Sequence, residues 1–251
     1  MSAPPKPSGS PTAHPVQWTD EKISFFWGAQ SNLLSHAGRY FAEIGGPEVI
    51  RRALRETPLR GGRVCDLGCG DGHLLDAIVA AGVPCEYWGV DPAAESLEAL
   101  RRRHPNEPRL AGTVTTEELA TRDLPPMDVA FLLEVVEHLS DEKLDAVLRS
   151  AHRVMRPGGV LVVTTPNREN IQRESTVCPD CGCVFHRWQH MRTWSAATLR
   201  SALDHYGFDA IRVTETSLAS RGSLVMSWLR VATGRIPAYP NLIGFFRRRD
   251  G

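Results

Sequence analysis

Hydrophobic and polar positions divide the chain into a polar start, a helical stretch and a long segment in which strands and helices alternate. Residues 1–16 are rich in Pro and Ser and carry almost nothing that a core could bury, which predicts a disordered tail. Between residues 20 and 55, apolar side chains recur at helical spacing and predict two or three helices ahead of a sheet. These apolar positions are Ile23, Phe26, Trp27, Leu33, Leu34, Tyr40, Phe41 and Ile44.

From residue 63 onward, short apolar runs alternate with helical patterns, as in a parallel sheet that helices cover on both faces. The predicted strands lie at residues 64–67, 87–90, 110–115, 128–133, 160–164, 210–214 and 242–246. The predicted helices among them lie at 72–81, 94–103, 141–154 and 195–206. The Arg-Pro-Gly-Gly run at 156–159 predicts a turn into the fifth strand, and residues 166–192 form an insert after that strand. Residues 17–251 are therefore expected to form a single α/β domain.

Charge and hydropathy argue against two classes of partner. The chain carries 29 acidic and 29 basic side chains, so no net field steers it toward nucleic acid or a membrane surface. No apolar run reaches membrane-spanning length, and the first residues lack the apolar core of a signal peptide. We therefore expect a cytoplasmic protein whose six cysteines are reduced.

The stretch VCDLGCGDG at 64–72 places alternating glycines where the first strand runs into a helix. Glycine lets the backbone turn sharply there and approach a ligand beside the positive helix N-terminus. Dinucleotide sites use the same device with the spacing G-x-G-x-x-G. Here the spacing is D-x-G-x-G-x-G, and Asp66 would repel a pyrophosphate. Both features favour S-adenosylmethionine, whose amine and sulfonium are cationic.

Asp91 ends the second strand in the run WGVDP and is placed to accept both hydroxyls of a ribose. The alternative is that Asp91 only caps the helix that begins near Pro92. We expect the cofactor to contact residues of the two loops that follow the first and second strands. These residues are Asp66, Gly68, Cys69, Gly70, Asp91 and Pro92.

Five segments, in this order and spacing, resemble the core of class I methyltransferases: DLGCGDG, GVDP, EVVEHL, MRPGG and VVTTPN. The resemblance covers roughly residues 61–208. It implies a Rossmann-like, doubly wound sheet of seven mostly parallel strands, the last one antiparallel. It also implies that S-adenosylmethionine binds across the carboxyl ends of strands one, two and four. Leu133 and Glu134 lie at the end of the fourth strand and would contact it. By the same analogy, Thr115 or Thr116 would contact the adenine.

Glu134, Glu137 and His138 follow the fourth strand in the run EVVEH. On a first helical turn these three side chains would share a face. Two carboxylates and one imidazole are suitable ligands for a divalent ion. The alternative is a metal-free pocket in which the acids shape the walls and His138 packs, caps the helix or acts as general base.

The motif E-x-x-E-H also resembles two metal-dependent families, the small-RNA 3′-terminal 2′-O-methyltransferases and the ubiquinone-pathway O-methyltransferases. The RNA family also has TPN after the fifth strand and a histidine four residues before a tryptophan, as at 165–167, His190 and Trp194 here. In that family two glutamates and two histidines hold a divalent cation that binds the 2′ and 3′ hydroxyls. The ligands implied here are Glu134, Glu137, His138 and His190. Two histidines favour Mn, Fe, Co or Zn over Mg.

The insert carries a cysteine cluster that neither family has as a defining feature. Cys178, Cys181, Cys183 and His186 read C-x2-C-x-C-x2-H, a spacing that could hold a small structural zinc ion. The alternatives are a reduced loop without metal, or a His186 that faces the active site and serves as general base beside His190. The insert departs from the RNA family in a second way, because TPN-x-E-Y-N becomes TPNRENI.

The leading hypothesis is a metal-assisted O-methyltransferase that acts on a hydroxyl of a sugar, polyol or related small metabolite. One alternative keeps the metal and takes an RNA 3′ end as substrate, which the neutral charge disfavours. Another is a metal-free N- or O-methyltransferase of small molecules. A non-catalytic scaffold that uses the cysteine insert would not need the intact D-x-G-x-G-x-G loop and Asp91.

Overall fold

The computed structural model describes residues 12–33, 41–218 and 240–250. Its helices are α1 (Asp20–Leu33), α2 (Phe41–Glu56), α3 (His73–Ala80), α4 (Ala94–Arg103), α5 (Thr116–Thr121), α6 (Asp141–Val154) and α7 (Ala196–His205). Its strands are β1 (His14–Pro15), β2 (Arg63–Leu67), β3 (Glu86–Asp91), β4 (Leu110–Thr115), β5 (Met127–Leu133), β6 (Met155–Pro166), β7 (Ser175–Val177), β8 (Cys183–His186), β9 (Phe208–Thr216) and β10 (Asn241–Arg248).

Seven of these strands form the central sheet, in the order β4-β3-β2-β5-β6-β10-β9. Strands β2 to β6 run parallel, and β10 lies antiparallel to both of its neighbours. This confirms the doubly wound sheet with an antiparallel last strand. The chain moves outward from β2 to β4 and then returns to β5 on the other side of β2. Ligands of such folds bind at that reversal, beside the carboxyl ends of the strands.

Both faces of the sheet are buried, as the continuous apolar runs predicted. On β5, Ala130 and Leu132 belong to one core cluster, together with apolar residues of α6 and α7. Val129 and Phe131 belong to the cluster on the opposite face, which includes apolar residues of α2 and α3. The sheet is therefore a rigid support for the loops at its carboxyl edge.

Most predicted elements are present, and three local predictions need correction. The helices at 94–103 and 141–154 and the strand at 110–115 have the expected bounds. The turn predicted at 156–159 lies within β6 rather than before it: Met155 pairs with Met127 and Val160 with Val129, so residues between them bulge out, with Gly158 at φ +73°. Helix α5 was not predicted, and Thr115 begins it with a capping box.

The third correction concerns the predicted disordered tail. His14 and Pro15 form β1, which pairs with Cys183 and Val184 of β8, and β8 pairs with β7 to complete a small second sheet. Backbone hydrogen bonds to an open strand edge need no apolar side chains, so composition gave no warning of this strand. The rest of the predicted tail, residues 1–11, lies outside the described residues. No helix in the described ranges is long and apolar enough to cross a membrane.

Candidate active site

The glycine loop between β2 and α3 lies at the reversal of the sheet, next to the end of β3. The amides of Gly68 and Cys69 donate to the carbonyl of Val90 at 2.8 and 3.0 Å, so the loop folds back against β3. Gly68 has φ +89°, and a side chain there would approach Val135 Cγ2 to 2.6 Å. Only glycine lets the loop touch the EVVEH turn this closely.

Asp66 lies at the floor of this loop and is 3% exposed. The hydroxyl of Tyr87 donates to Asp66 Oδ2 at 2.6 Å. Burial raises the pKa of Asp66 to about 7, against the effect of the tyrosine hydrogen bond. A cationic ligand beside this carboxylate would stabilise the ionised form.

Asp91 connects the two loops of the predicted cofactor site. Its Oδ2 accepts from the Gly70 amide at 3.0 Å, and its Oδ1 accepts from the Ala93 amide at 2.9 Å. Asp91 therefore supports the turn into α4, the alternative role considered from the sequence, and also fixes the glycine loop. Each carboxylate oxygen retains acceptor capacity for a ribose hydroxyl. Burial raises the pKa of Asp91.

The remaining predicted cofactor residues surround the same edge of the sheet. Cys69 is buried, whereas Pro92 is exposed. Thr115 ends β4, but its hydroxyl accepts from the Glu118 amide at 3.1 Å, so Thr116 is the first residue of α5. Leu133 ends β5 and Glu134 follows it. The structure thus brings the predicted set to one edge, at the ends of β2, β3, β4 and β5.

The EVVEH segment is a turn that precedes α6, and the predicted first helical turn is wrong at this point. Glu134 has a left-handed backbone with φ 53°, and its amide donates to the carbonyl of Thr164 at 3.0 Å. The His138 amide donates to the carbonyl of Val135 at 3.0 Å and so closes the turn. Helix α6 begins only at Asp141. The turn therefore directs its side chains by local backbone conformation rather than by helical spacing.

His190 reaches this turn from the insert, as the sequence implied. Glu137, His138 and His190 each offer one ligand atom, and the three atoms lie within 4.8 Å of one another. Met191 anchors the insert, because its amide donates to the carbonyl of Glu137 at 2.8 Å. Glu134 lies outside this group of three, beside Glu137.

The two glutamates of the turn form a buried acidic pair. Glu137 is 1% exposed, and its Oε2 accepts from the Thr165 hydroxyl at 3.0 Å. Burial raises the pKa of Glu134 to about 7, and burial together with the neighbouring Glu134 raises the pKa of Glu137 well above its usual range. Two such carboxyls share a proton unless a cation neutralises them.

Glu169 is a member of the cluster that was not predicted. With His186 and His190 it forms a second group whose ligand atoms lie within 4.8 Å of one another. Its Oε2 is hydrogen-bonded to His190 Nδ1, and its Oε1 lies 3.5 Å from His186 Nε2. Although burial opposes it, the two neighbouring histidines lower the pKa of Glu169 to about 2. The sequence carried one signal for this residue. Glu169 is the last residue of TPNRE and occupies the position of the glutamate in the TPN-x-E-Y-N motif of the RNA family.

Hydrogen bonds fix the tautomers of both insert histidines. The amides of Trp188 and His190 donate to His186 Nδ1 at 3.2 Å each, so neutral His186 carries its proton on Nε2, toward Glu169. His190 donates from Nδ1 to the ionised Glu169, which leaves Nε2 with a free lone pair. The two rings are stacked with centroids 4.3 Å apart.

His186 therefore belongs to the histidine cluster, and its predicted place as fourth ligand of the cysteine site is wrong. Successive side chains of a strand alternate between its two faces, so His186 and Cys183 of β8 lie on opposite faces. His186 is 3% exposed, whereas Cys181 is exposed. Among the described residues, the two groups with ligand atoms within 4.8 Å contain histidines and carboxylates, and neither contains a cysteine.

An aromatic wall from α1 covers the histidine cluster, and sequence reasoning did not detect it. The ring of Trp27 packs edge-on against His138 with centroids 5.1 Å apart. Its Nε1 donates to Gln189 Oε1 at 3.0 Å, and Gln189 Nε2 donates to the carbonyl of His138 at 3.0 Å. Helix α1 is thereby linked to both the turn and the insert.

A cavity of about 550 Å³ opens beside this wall. Its lining combines apolar and aromatic side chains, including Trp18 and Phe185, with the buried His186 and His190. Trp18 and Phe185 pack edge-on with centroids 6.3 Å apart. A volume of this size suits a small organic molecule.

Comparison with known proteins agrees with the fold and the motifs. A methyltransferase domain family matches residues 37–213. A ubiquinone biosynthesis O-methyltransferase of Azorhizobium caulinodans is 38% identical over 120 residues, which are 47% of this chain and 44% of that protein. Its counterpart in Bordetella avium is 35% identical over 113 residues, 44% of this chain and 45% of that protein. The chain thus spans less than half the length of these relatives.

Solved structures show the same fold. An S-adenosylmethionine dependent methyltransferase from Mesorhizobium loti superimposes with a TM-score of 0.57 at 21% identity, over 80% of this chain and 96% of that one. The 1,6-didemethyltoxoflavin-N1-methyltransferase of Burkholderia thailandensis, solved with S-adenosylhomocysteine, gives a TM-score of 0.57 at 14% identity, over 96% and 94% of the two chains. The chain belongs to the methyltransferase domain family, and its fold is that of the S-adenosylmethionine-dependent methyltransferases.

Proposed function

We propose that the protein is a metal-assisted O-methyltransferase that acts on a hydroxyl of a small metabolite carrying a neighbouring oxygen. The observation that supports it best is a set of buried polar atoms in the EVVEH turn. Glu134 Oε1, Glu137 Oε1 and His138 Nδ1 are buried and have no hydrogen-bond partner among the described residues. Atoms of this kind are costly unless a ligand or an ion satisfies them.

A divalent cation fits this cluster better than a proton does. The acidic pair carries raised pKa values, and a cation would replace the shared proton and neutralise the charge. Glu137, His138 and His190 would hold the ion, with Glu134 beside them. Glu169 would orient His190 through Nδ1, the arrangement typical of metal-ligating histidines. Mixed carboxylate and imidazole ligands suit Mn, Fe, Co or Zn.

The cofactor would lie across the ends of β2, β3 and β5. We assign its ribose hydroxyls to Asp91 and its cationic amino-acid end to the neighbourhood of Asp66. The glycine loop touches the EVVEH turn through Gly68 and Val135, so the cofactor loop adjoins the metal turn. Two substrates held side by side react as if at high local concentration.

When bound, S-adenosylmethionine supplies the methyl group and the cation lowers the pKa of the acceptor hydroxyl. The task of the chain is to align that hydroxyl and exclude water. The wall formed by Trp18, Trp27 and Phe185 restricts access of solvent to the histidine cluster. The fixed tautomer of His190 keeps a lone pair directed away from Glu169.

The metal-free alternative would need a histidine as general base, and two of the three in the cluster are poorly suited. Burial, together with the neighbouring His190, lowers the pKa of His138 to about 3, which makes it a weak base. Neutral His186 has no free lone pair, because Nδ1 accepts two amides. The alternative therefore depends on His190 Nε2, the same atom that would hold the ion.

The cavity favours a small acceptor over an RNA end. None of the residues that line it is Lys or Arg, whereas phosphate recognition relies on such side chains. Trp18 and Phe185 can pack against the apolar face of a sugar, polyol or related ring. The names of the curated relatives agree with a hydroxyl acceptor.

Chelation tests this proposal. We expect exhaustive chelation to abolish methyl transfer to a panel of small hydroxyl acceptors, and Mn²⁺ or Co²⁺ to restore it. Binding of S-adenosylmethionine, followed by calorimetry, should persist in the chelated protein. Full turnover after verified metal removal would contradict metal assistance, and transfer to nitrogen acceptors alone would contradict the O-methyltransferase assignment.

A further inference from the structure

The hairpin of β7 and β8 has the form of a metal-binding turn. Its connection is Cys178-Pro-Asp-Cys-Gly-Cys183, closed by an amide of Cys178 that donates to the carbonyl of Cys183 at 2.9 Å. The Gly182 amide donates to the carbonyl of Cys178 at 2.9 Å, and Gly182 has a left-handed backbone with φ +77°. The turn therefore holds three cysteines around one short loop.

The turn brings its three thiols into one electrostatic cluster. Cys181 lies close enough to both Cys178 and Cys183 to influence them. Among the described residues, the three sulfurs do not form a group within 4.8 Å of one another, so an ion would have to draw them together. Zinc binds cysteine as the thiolate, so an ion at this turn would be held by ionised sulfurs.

A fourth ligand of the right type lies on the neighbouring strand. His14 of β1 pairs in register with Cys183, so the two side chains project to the same face of the small sheet. His14 Nδ1 is hydrogen-bonded to the carbonyl of Thr12 at 3.1 Å. A backbone carbonyl on one ring nitrogen is a common partner of metal-ligating histidines, and it leaves Nε2 as the ligand.

We propose that Cys178, Cys181, Cys183 and His14 bind a structural zinc ion. Three thiolates and one imidazole are a ligand set that zinc takes in closed tetrahedral sites. An ion there would draw the three sulfurs and the imidazole together. The site is separate from the histidine cluster, because His186 lies on the other face of β8.

The zinc ion fastens β1 to the hairpin. Besides His14, β1 is held by the Val16 amide, which donates to the carbonyl of Val184 at 2.9 Å. Trp18 follows and packs on Phe185 of β8. The ion thereby stabilises one wall of the cavity, which His14 itself lines.

Cobalt substitution of the full-length protein tests the proposal without reference to turnover. We expect one Co²⁺ per chain to give sulfur-to-cobalt charge-transfer absorption that added Zn²⁺ abolishes. Cys181→Ser and Cys183→Ser should lose it, whereas Cys85→Ser, outside the cluster, should retain it. His14→Ala should weaken zinc binding at least ~10-fold, a lower limit set by the loss of an outer partner. The matched control is His205→Ala, another exposed histidine.

Three results would overturn the proposal. The first is an absence of thiolate charge transfer in the cobalt-loaded wild-type protein. The second is a zinc affinity that is unchanged in His14→Ala, a substitution at an exposed site that leaves the core intact. Loss of the cobalt signal in His186→Ala but not in His14→Ala would restore the sequence-based ligand set and refute the present one.

Discussion

The cofactor edge and the histidine cluster adjoin each other but are built in different ways. At the cofactor edge, two short motifs hold each other: Asp91 accepts from Gly70 and Ala93, and Asp66 accepts from Tyr87. The histidine cluster is assembled from three segments, 134–138, 165–169 and 186–190. Three of its buried acceptor or ring atoms, Glu134 Oε1, Glu137 Oε1 and His138 Nδ1, have no hydrogen-bond partner in the part of the chain that the structure describes.

This difference indicates what each region requires. Polar groups at the cofactor edge are satisfied within the protein, so the loop can keep its shape before a ligand binds. The acidic pair and histidines of the cluster are satisfied only in part, so an ion would complete them. Substitutions that separate the two requirements test the comparison directly.

The largest effect is expected from Glu137→Gln. Removing a charge from the metal ligands should lower kcat at least ~100-fold, while the affinity for S-adenosylmethionine changes by no more than about twofold. Turnover assays and calorimetry measure the two quantities. Glu142→Gln, an exposed change in the first turn of α6, is the matched control. Equal losses of cofactor affinity and turnover would show that the two regions are not separable.

Glu169→Gln should give the next largest effect, because it weakens the bond that orients His190. We expect metal affinity to fall about 10–100-fold, the range typical of partners behind a metal ligand. Excess Mn²⁺ should restore part of the turnover, which it cannot do for Glu137→Gln. If Glu169→Gln binds metal as tightly as the wild type, Glu169 does not position His190.

Asp91→Asn tests the cofactor edge rather than the histidine cluster. Hydrogen bonds to a charged group contribute about 1.5–3 kcal/mol, so the Kd for S-adenosylmethionine should rise by roughly 10-fold or more. Metal content, measured by elemental analysis, should stay at the wild-type value. A cofactor affinity equal to that of the wild type would leave Asp91 as a support for the turn only.

The smallest effect is the pH dependence of metal binding. The pKa of Glu134 is raised to about 7, so its carboxyl is protonated increasingly as the pH falls below 7. A metal that displaces one proton should lose affinity by up to about tenfold per pH unit in that range. Cofactor binding should weaken over the same range, because the pKa of Asp66 is also raised to about 7. Titration calorimetry in buffers of different ionisation enthalpy would count the released protons.

The same contrast explains what the sequence could predict. The glycine loop and Asp91 were found because their spacing is local, and the strand pattern located the sheet. Glu169 was missed because its partner His190 lies 21 residues away across an irregular loop. Gln189 was missed because its role depends on a left-handed backbone with φ 60° and on contact with Trp27. His14 was placed in a disordered tail because a two-residue edge strand leaves no hydrophobic pattern.

Binding of Mn²⁺ to metal-stripped protein tests the central claim most directly, since manganese prefers oxygen and nitrogen ligands to thiolates. We expect calorimetry to show one site in the wild type and in Asp91→Asn, and none in Glu137→Gln or His190→Ala. A wild-type protein that binds no Mn²⁺ yet methylates its acceptor at full rate would contradict the account.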